Sequence, residues 1–133
     1  MTKVLKVDTK LNLTVIDLEE PLYESAQKVI GGYGEQVRTD RIPHGHIMLV
    51  DEEGRLKDLP FNAFGSFLYG TDKHGEPIVG DILLIKTKMT SEGEDWTTLS
   101  LEEVAKLSEI YQPMLDELKV ILQDKGVDLE RDL

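Results

Sequence analysis

Three glycines crowd the stretch KVIGGYGEQV, Lys28 to Val37, and a cluster of this kind can wrap backbone amides around a phosphate. A dinucleotide fingerprint needs strand, glycines and then helix, so that the phosphate meets free amides at a helix N-terminus. Here an amphipathic run precedes the glycines and an extended run follows them, which is the reverse order. A helix C-terminus offers carbonyls and the negative pole of the dipole, both wrong for phosphate. Gly31 or Gly32 as a left-handed helix stop accounts for the pattern, with Gly34 easing entry into the next strand.

The other chemistry-bearing groups are sparse. HGH sets His44 and His46 two apart, on one face if extended, where both could meet one metal ion. Two imidazoles alone are not a site, and Asp40 or His74 could join them only through the fold, so no metal is expected. DEEG, Asp51 to Gly54, lacks the alternating acids and closing glutamate of a calcium loop and reads as a hairpin turn between extended runs. DILLIK, Asp81 to Lys86, has Leu84 where a nuclease metal centre needs a second acid. No serine lies in G-x-S-x-G and no Walker motif is present. Cysteine is absent, which excludes thiolate nucleophiles, disulfides and zinc–thiolate sites. No catalytic residue is assigned, and no cofactor is expected.

Binding chemistry is better represented. Phe61, Phe64, Phe67 and Tyr69 gather half of the eight aromatic residues beside the amide of Asn62. Rings of this kind serve a core, a small-molecule pocket or an interface anchor. Arg38, Arg41 and Arg55 are the cationic donors available to a charged ligand.

These groups must be carried by a short list of elements. Lys3–Asp8 and Leu11–Asp17 are β-rich runs separated by Thr9 and Lys10, a hairpin. In DLEEPLYESAQKVIGG, Leu22, Ala26, Val29 and Ile30 share one helical face, Pro21 suits the first turn and the glycines end it. Extended segments follow from Glu35, over His46–Leu59 and up to Thr87, with DILLIK as a buried central strand and the aromatic segment as a loop. The core over 1–90 reads ββαβββ, an α+β domain with a mainly antiparallel sheet and one packed helix. Residues 91–99 read as a polar linker or short strand.

Residues 100–133 read as an acidic amphipathic helix. Ser100 and Glu103 form a capping box, Leu99 and Val104 a hydrophobic staple, and Gly126 a stop. Val104, Leu107, Tyr111, Met114, Leu118 and Ile121 recur at spacings of three and four, with Pro113 predicting a kink. That seam fits either the chain's own sheet or an oligomer, and a homo-oligomer is expected.

The 133 residues carry a formal charge of −11. Twelve acids against four bases fall between Glu92 and Leu133. Such a field repels nucleic acid and anionic membranes, so direct binding to either is not expected. No apolar run approaches the ~20 residues of a membrane span, and MTKVLKVDTK has no apolar leader pattern, which points to the cytoplasm. Glu102, Glu109, Asp116 and Glu117 lie roughly along one helix face, a layout that also suits a DNA mimic.

Several strings in this order resemble a family found mostly in bacteriophages and mobile elements, the domain of unknown function 3846. They are the hairpin start, VIGGY (Val29–Tyr33), DEEGRLKDLPFN (Asp51–Asn62), LYG (Leu68–Gly70) and IVGDILLI (Ile78–Ile85). The resemblance covers residues 2–88 and leaves the helical tail outside. It implies an accessory protein expressed during infection, in host cytoplasm, with no established activity and no catalytic residues to carry over. The resulting expectation is a non-enzymatic protein that binds a host protein or sequesters a small molecule, with action against host defence among its roles. A DNA mimic and an enzyme with scattered catalytic groups are the alternatives.

Overall fold

The computed structural model describes residues 1–71, 73 and 75–129. Strands β1 (Thr2–Val7) and β2 (Leu13–Leu18) form the expected hairpin. The Asp8 carboxylate shapes its turn by accepting from the N–H groups of Lys10 and Asn12, each at 2.9 Å. Helix α1 (Leu22–Ile30) starts after Pro21 and stops at Gly31, whose φ of 87° is the left-handed geometry a glycine reaches without strain. The N–H groups of Gly31 and Gly32 both donate to the Gln27 carbonyl, which closes the helix end.

Strands β3 (Gly34–Val37) and β4 (His46–Asp51), helix α2 (Ala63–Tyr69), strands β5 (Ile82–Thr90) and β6 (Gly93–Thr97), and helix α3 (Leu101–Asp124) complete the order. Every described strand pairing is antiparallel, in the order β2-β1-β5-β4-β3, with β6 beside the second half of β5. β5 is the central strand, and Ile82 to Ile85 are buried on both faces as a continuous apolar run requires.

The fold class is therefore α+β, with two local departures from expectation. Arg55–Leu59 is not extended, and DEEG does not close a hairpin. The Asp51 carboxylate accepts from the Glu53 N–H, Lys57 N–H donates to the Glu53 carbonyl, and Leu59 N–H donates to that of Gly54. A side-chain acceptor at the strand end thus turns the chain at once, and exposed Leu56 offers no apolar alternation to draw it back. The aromatic segment is also not a loop but α2. The Asn62 side-chain oxygen accepts from Gly65 N–H at 2.9 Å as the N-cap, and Gly70 at φ 84° stops the helix.

The two sheet faces have separate cores. On one, Val4, Leu18, Ile47, Leu49, Leu83 and Ile85 meet Ala26 and Ile30 of α1. On the other, Leu5, Val7, Met48, Val50, Ile82 and Leu84 meet Phe64 and Leu68 of α2 and Tyr111 and Leu115 of α3. The tail helix thus covers its own sheet. Its capping box is formed: Glu103 N–H donates to the Ser100 hydroxyl oxygen and Ser100 N–H to the Glu103 carboxylate, both at 3.0 Å. The helix continues through Pro113, which has no N–H to give the Glu109 carbonyl. It ends with Gly126 N–H on the Gln123 carbonyl and Val127 N–H on that of Leu122. Among the described residues, no helix is long and apolar enough to cross a membrane.

Candidate functional site

The strings VIGGY and DEEGRLKDLPFN meet in space. Asp51, at the end of β4, has a side chain only 1% exposed and holds Lys57 Nζ at 2.8 Å. The same ammonium donates to the Gly31 carbonyl at 3.1 Å, so the turn after β4 is tied to the end of α1. A Cβ on Gly32 would lie 2.4 Å from Lys57 Nζ and 2.9 Å from the Asp51 carboxylate. A side chain at the second glycine of GGY would push against the Lys57–Asp51 ion pair, while the first glycine is favoured by its left-handed dihedral angle. Both glycine N–H groups are already committed to the Gln27 carbonyl, so neither is free for a phosphate.

Beside this tie an open cleft of about 370 Å³ separates β3 and the Asp51–Arg55 turn from Gly75–Val79. Its floor is Val37, Val50, Ile78 and Val79, and its walls carry Tyr69, Arg55, Glu35, Glu52 and Glu76. Arg55 and Glu76 form an ion pair across it. Of the candidate ligand residues, Arg55 and Tyr69 come here. The three glutamates stand far apart in sequence with no shared motif, so only the fold could reveal them.

The remaining candidates are distributed differently. Asn62 and Phe64 are fully buried and present no surface to a ligand. The Asn62 amide donates to the carbonyls of Val7 at 3.2 Å and Gly80 at 2.9 Å, which clamps α2 to the ends of β1 and β5. Phe64 packs edge-on against Tyr111 of α3, ring centres 5.3 Å apart. Phe61, at 39% exposed, bridges to Val79. Arg38 is ion-paired with Glu94 on β6.

Phe67 is 40% exposed, and the Arg41 guanidinium stacks over its ring at 4.7 Å while donating to the Phe67 carbonyl at 2.8 Å. Its other edge opens on an apolar groove of about 250 Å³ shared with Met114, Leu118 and Ile121 of α3 and bordered by Glu117. The aromatic segment and the tail seam thus converge on one surface. Within the seam, Val104, Leu107, Tyr111, Met114 and Leu118 pack on the chain's own core, whereas Ile121 is 42% exposed.

The histidines behave as strand-edge groups. His44 is exposed and His46 opens β4 opposite Lys86. Burial pushes the His46 imidazole below its ordinary pKa, with Glu103 opposing and Lys86 reinforcing that effect. Glu103 is held down to about 2, first by its hydrogen bond from Lys86 and then by the Ser100 N–H. Lys86 Nζ lies 2.7 Å from its carboxylate, which fastens the start of α3 to β5. Among the described residues, no three potential metal ligands converge, and His74 lies outside the described residues.

An antiparallel α+β domain layered helix, sheet, helices, with an open cleft at one sheet edge and an aromatic groove between two helices, is the class that fold and site define. The chain belongs to the family described as domain of unknown function (DUF3846), whose model matches residues 1–112. The match takes in every quoted string and runs on through β6 to the middle of α3, ending beside Pro113. No curated protein and no solved structure gives a significant match.

Proposed function

We propose that this chain is a non-enzymatic accessory protein of a phage or mobile element that engages a host protein through the surface around Phe67. The carrying observation is the half-exposed ring of Phe67, clamped by Arg41 and opening on the groove of Met114, Leu118 and Ile121. Aromatic and arginine side chains beside an apolar depression are the composition from which interface hot spots are built. The Arg41 contact pre-orders the ring, which lowers the entropy lost on binding. The acidic surface of α3 around the groove favours a basic or neutral partner over a nucleic acid.

A second reading, sequestration of a small molecule, is favoured by the cleft holding Arg55 and Tyr69, whose volume of about 370 Å³ lies in the range of ligand sites. Native mass spectrometry of protein purified gently from host lysate separates the two readings. A bound protein that is lost in Phe67→Ala and kept in Arg55→Ala supports the groove. A small mass released on denaturation and lost in Arg55→Ala moves the function to the cleft. Neither species, from lysate of an infected host, would overturn both.

A further inference from the structure

We propose that the free edge of β2 joins two copies of this chain, paired antiparallel about a twofold axis at Val15. This inference stands apart from the ligand readings above, since it uses neither the cleft nor the groove.

Hydrogen-bond parity fixes which groups the edge presents. Lys3 N–H donates to the Thr98 hydroxyl, and Leu99 N–H donates to the Lys3 carbonyl, so Lys3 turns its polar groups away from β2. Lys3 lies opposite Asp17, Leu5 opposite Val15 and Val7 opposite Leu13. In an antiparallel ladder the groups of Leu13, Val15 and Asp17 then point outward, while those of Thr14, Ile16 and Leu18 serve β1. Bonds at both ends of β2 agree: Asp8 N–H reaches inward to the Asn12 carbonyl, and Glu19 N–H reaches the Ser25 hydroxyl outside the ladder. Among the described residues, nothing bonds to the outward groups of Leu13, Val15 and Asp17.

The strands at the two ends of the main path, β3 and β2, are treated unequally. β3 is four residues long, and the Tyr23 hydroxyl occupies both outward groups of Gly34, donating to its carbonyl at 3.1 Å and accepting from its N–H at 3.3 Å. β2 has six residues, LTVIDL, without proline, glycine or lysine, the residues that protect natural edges. Its one charge, Asp17, is already paired with Lys3 Nζ at 2.8 Å. Val15, 46% exposed, sits at the centre of the outward row.

A second copy fits that row. Antiparallel pairing about Val15 sets the two Val15 residues opposite each other and Leu13 opposite Asp17 of the other copy, each facing pair exchanging both of its N–H···O bonds. On the opposite sheet face Thr14 meets Ile16, a β-branched cross-strand pair. No like charges face each other at the seam. The apolar face of α3 does not compete for the role, because it is already packed on its own sheet.

Sedimentation of the full chain tests this, at salt from about 50 mM to about 500 mM, a range over which the Debye length shortens severalfold. With a charge of −11 on each copy, the dimer should strengthen as salt rises. Amide hydrogen exchange supplies the signature: Leu13, Val15 and Asp17 should be protected in the dimer and lose protection on dilution, while Thr14, Ile16 and Leu18 stay protected. Val15→Lys should give a monomer with an unchanged circular dichroism spectrum. If that variant misfolds, the alternating amide pattern of the unaltered chain decides. A chain still monomeric at about 1 mM, where even weak pairing is populated, overturns the proposal. So does a dimer in which the amides of Leu13, Val15 and Asp17 stay unprotected.

Discussion

Lys57 has one of the most consequential side chains here, although it is more than a third exposed. Its ammonium neutralises the Asp51 carboxylate, which is almost wholly buried, and holds the Gly31 carbonyl as well. Lys57→Met keeps the aliphatic stem and removes the charge, leaving a buried carboxylate with only the Glu53 amide. Such a loss costs about 1–3 kcal/mol, to be read from the midpoint of a urea titration. The helix stop at Gly31 and the absence of a phosphate cradle were legible in the sequence, because both follow from local order. The second role of GGY was not. Nothing in a linear string says that Gly32 lies against a lysine twenty-five positions later.

At the scale of elements, β1 to β5, α1 and the capping box of α3 were legible because periodicity and end signals agreed, whereas β6 lies in a stretch that reads as a polar linker or short strand. α2 was hidden because its internal Gly65 and its aromatic content argue against a helix, although Asn62 and Gly70 mark its ends. The run from Arg55 to Leu59 misled in the opposite direction: Leu56 and Leu59 are three apart rather than two, and their side chains have no sheet to join.

The ion pair at the start of α3 gives a pH test at this scale. The folded pKa of Glu103, about 2, lies below its unfolded value, so the unfolded chain binds the proton first as pH falls. The stabilisation is therefore complete above about 4.5 and disappears as pH falls toward 2. Glu103→Gln keeps a capping-box acceptor and removes the charge. It should lower stability by at most about 1 kcal/mol at neutral pH, given the exposure of both partners. Melting curves of the two proteins should converge near pH 2.

For the whole molecule, the family match ends at Gln112 but the core does not. Leu115 is fully buried, and Met114, Leu118 and Leu122 pack on the same cluster beside it. Deleting everything after Gln112 would uncover Phe64 and Tyr111 and forfeit about 1.5–3 kcal/mol for Leu115 alone. The truncated chain should lose cooperative thermal unfolding, seen as a broadened calorimetric transition, if the second half of α3 is integral to the core. The sequence left the destination of this seam open between its own sheet and an oligomer, because an apolar stripe states only that something must cover it.

The sheet divides the aromatic reporters as cleanly as it divides the cores. Trp96, the only tryptophan, packs on the α1 side against Tyr23 at 6.0 Å, whereas Tyr111 meets Phe64 on the α3 side. Light emitted by the single indole therefore reports on the α1 layer, while the near-ultraviolet ellipticity lost in Tyr111→Phe isolates the contribution of the other. The molecule carries its own two-channel readout, by which loosening of the tail layer can be watched without labels while the opposite layer stays intact.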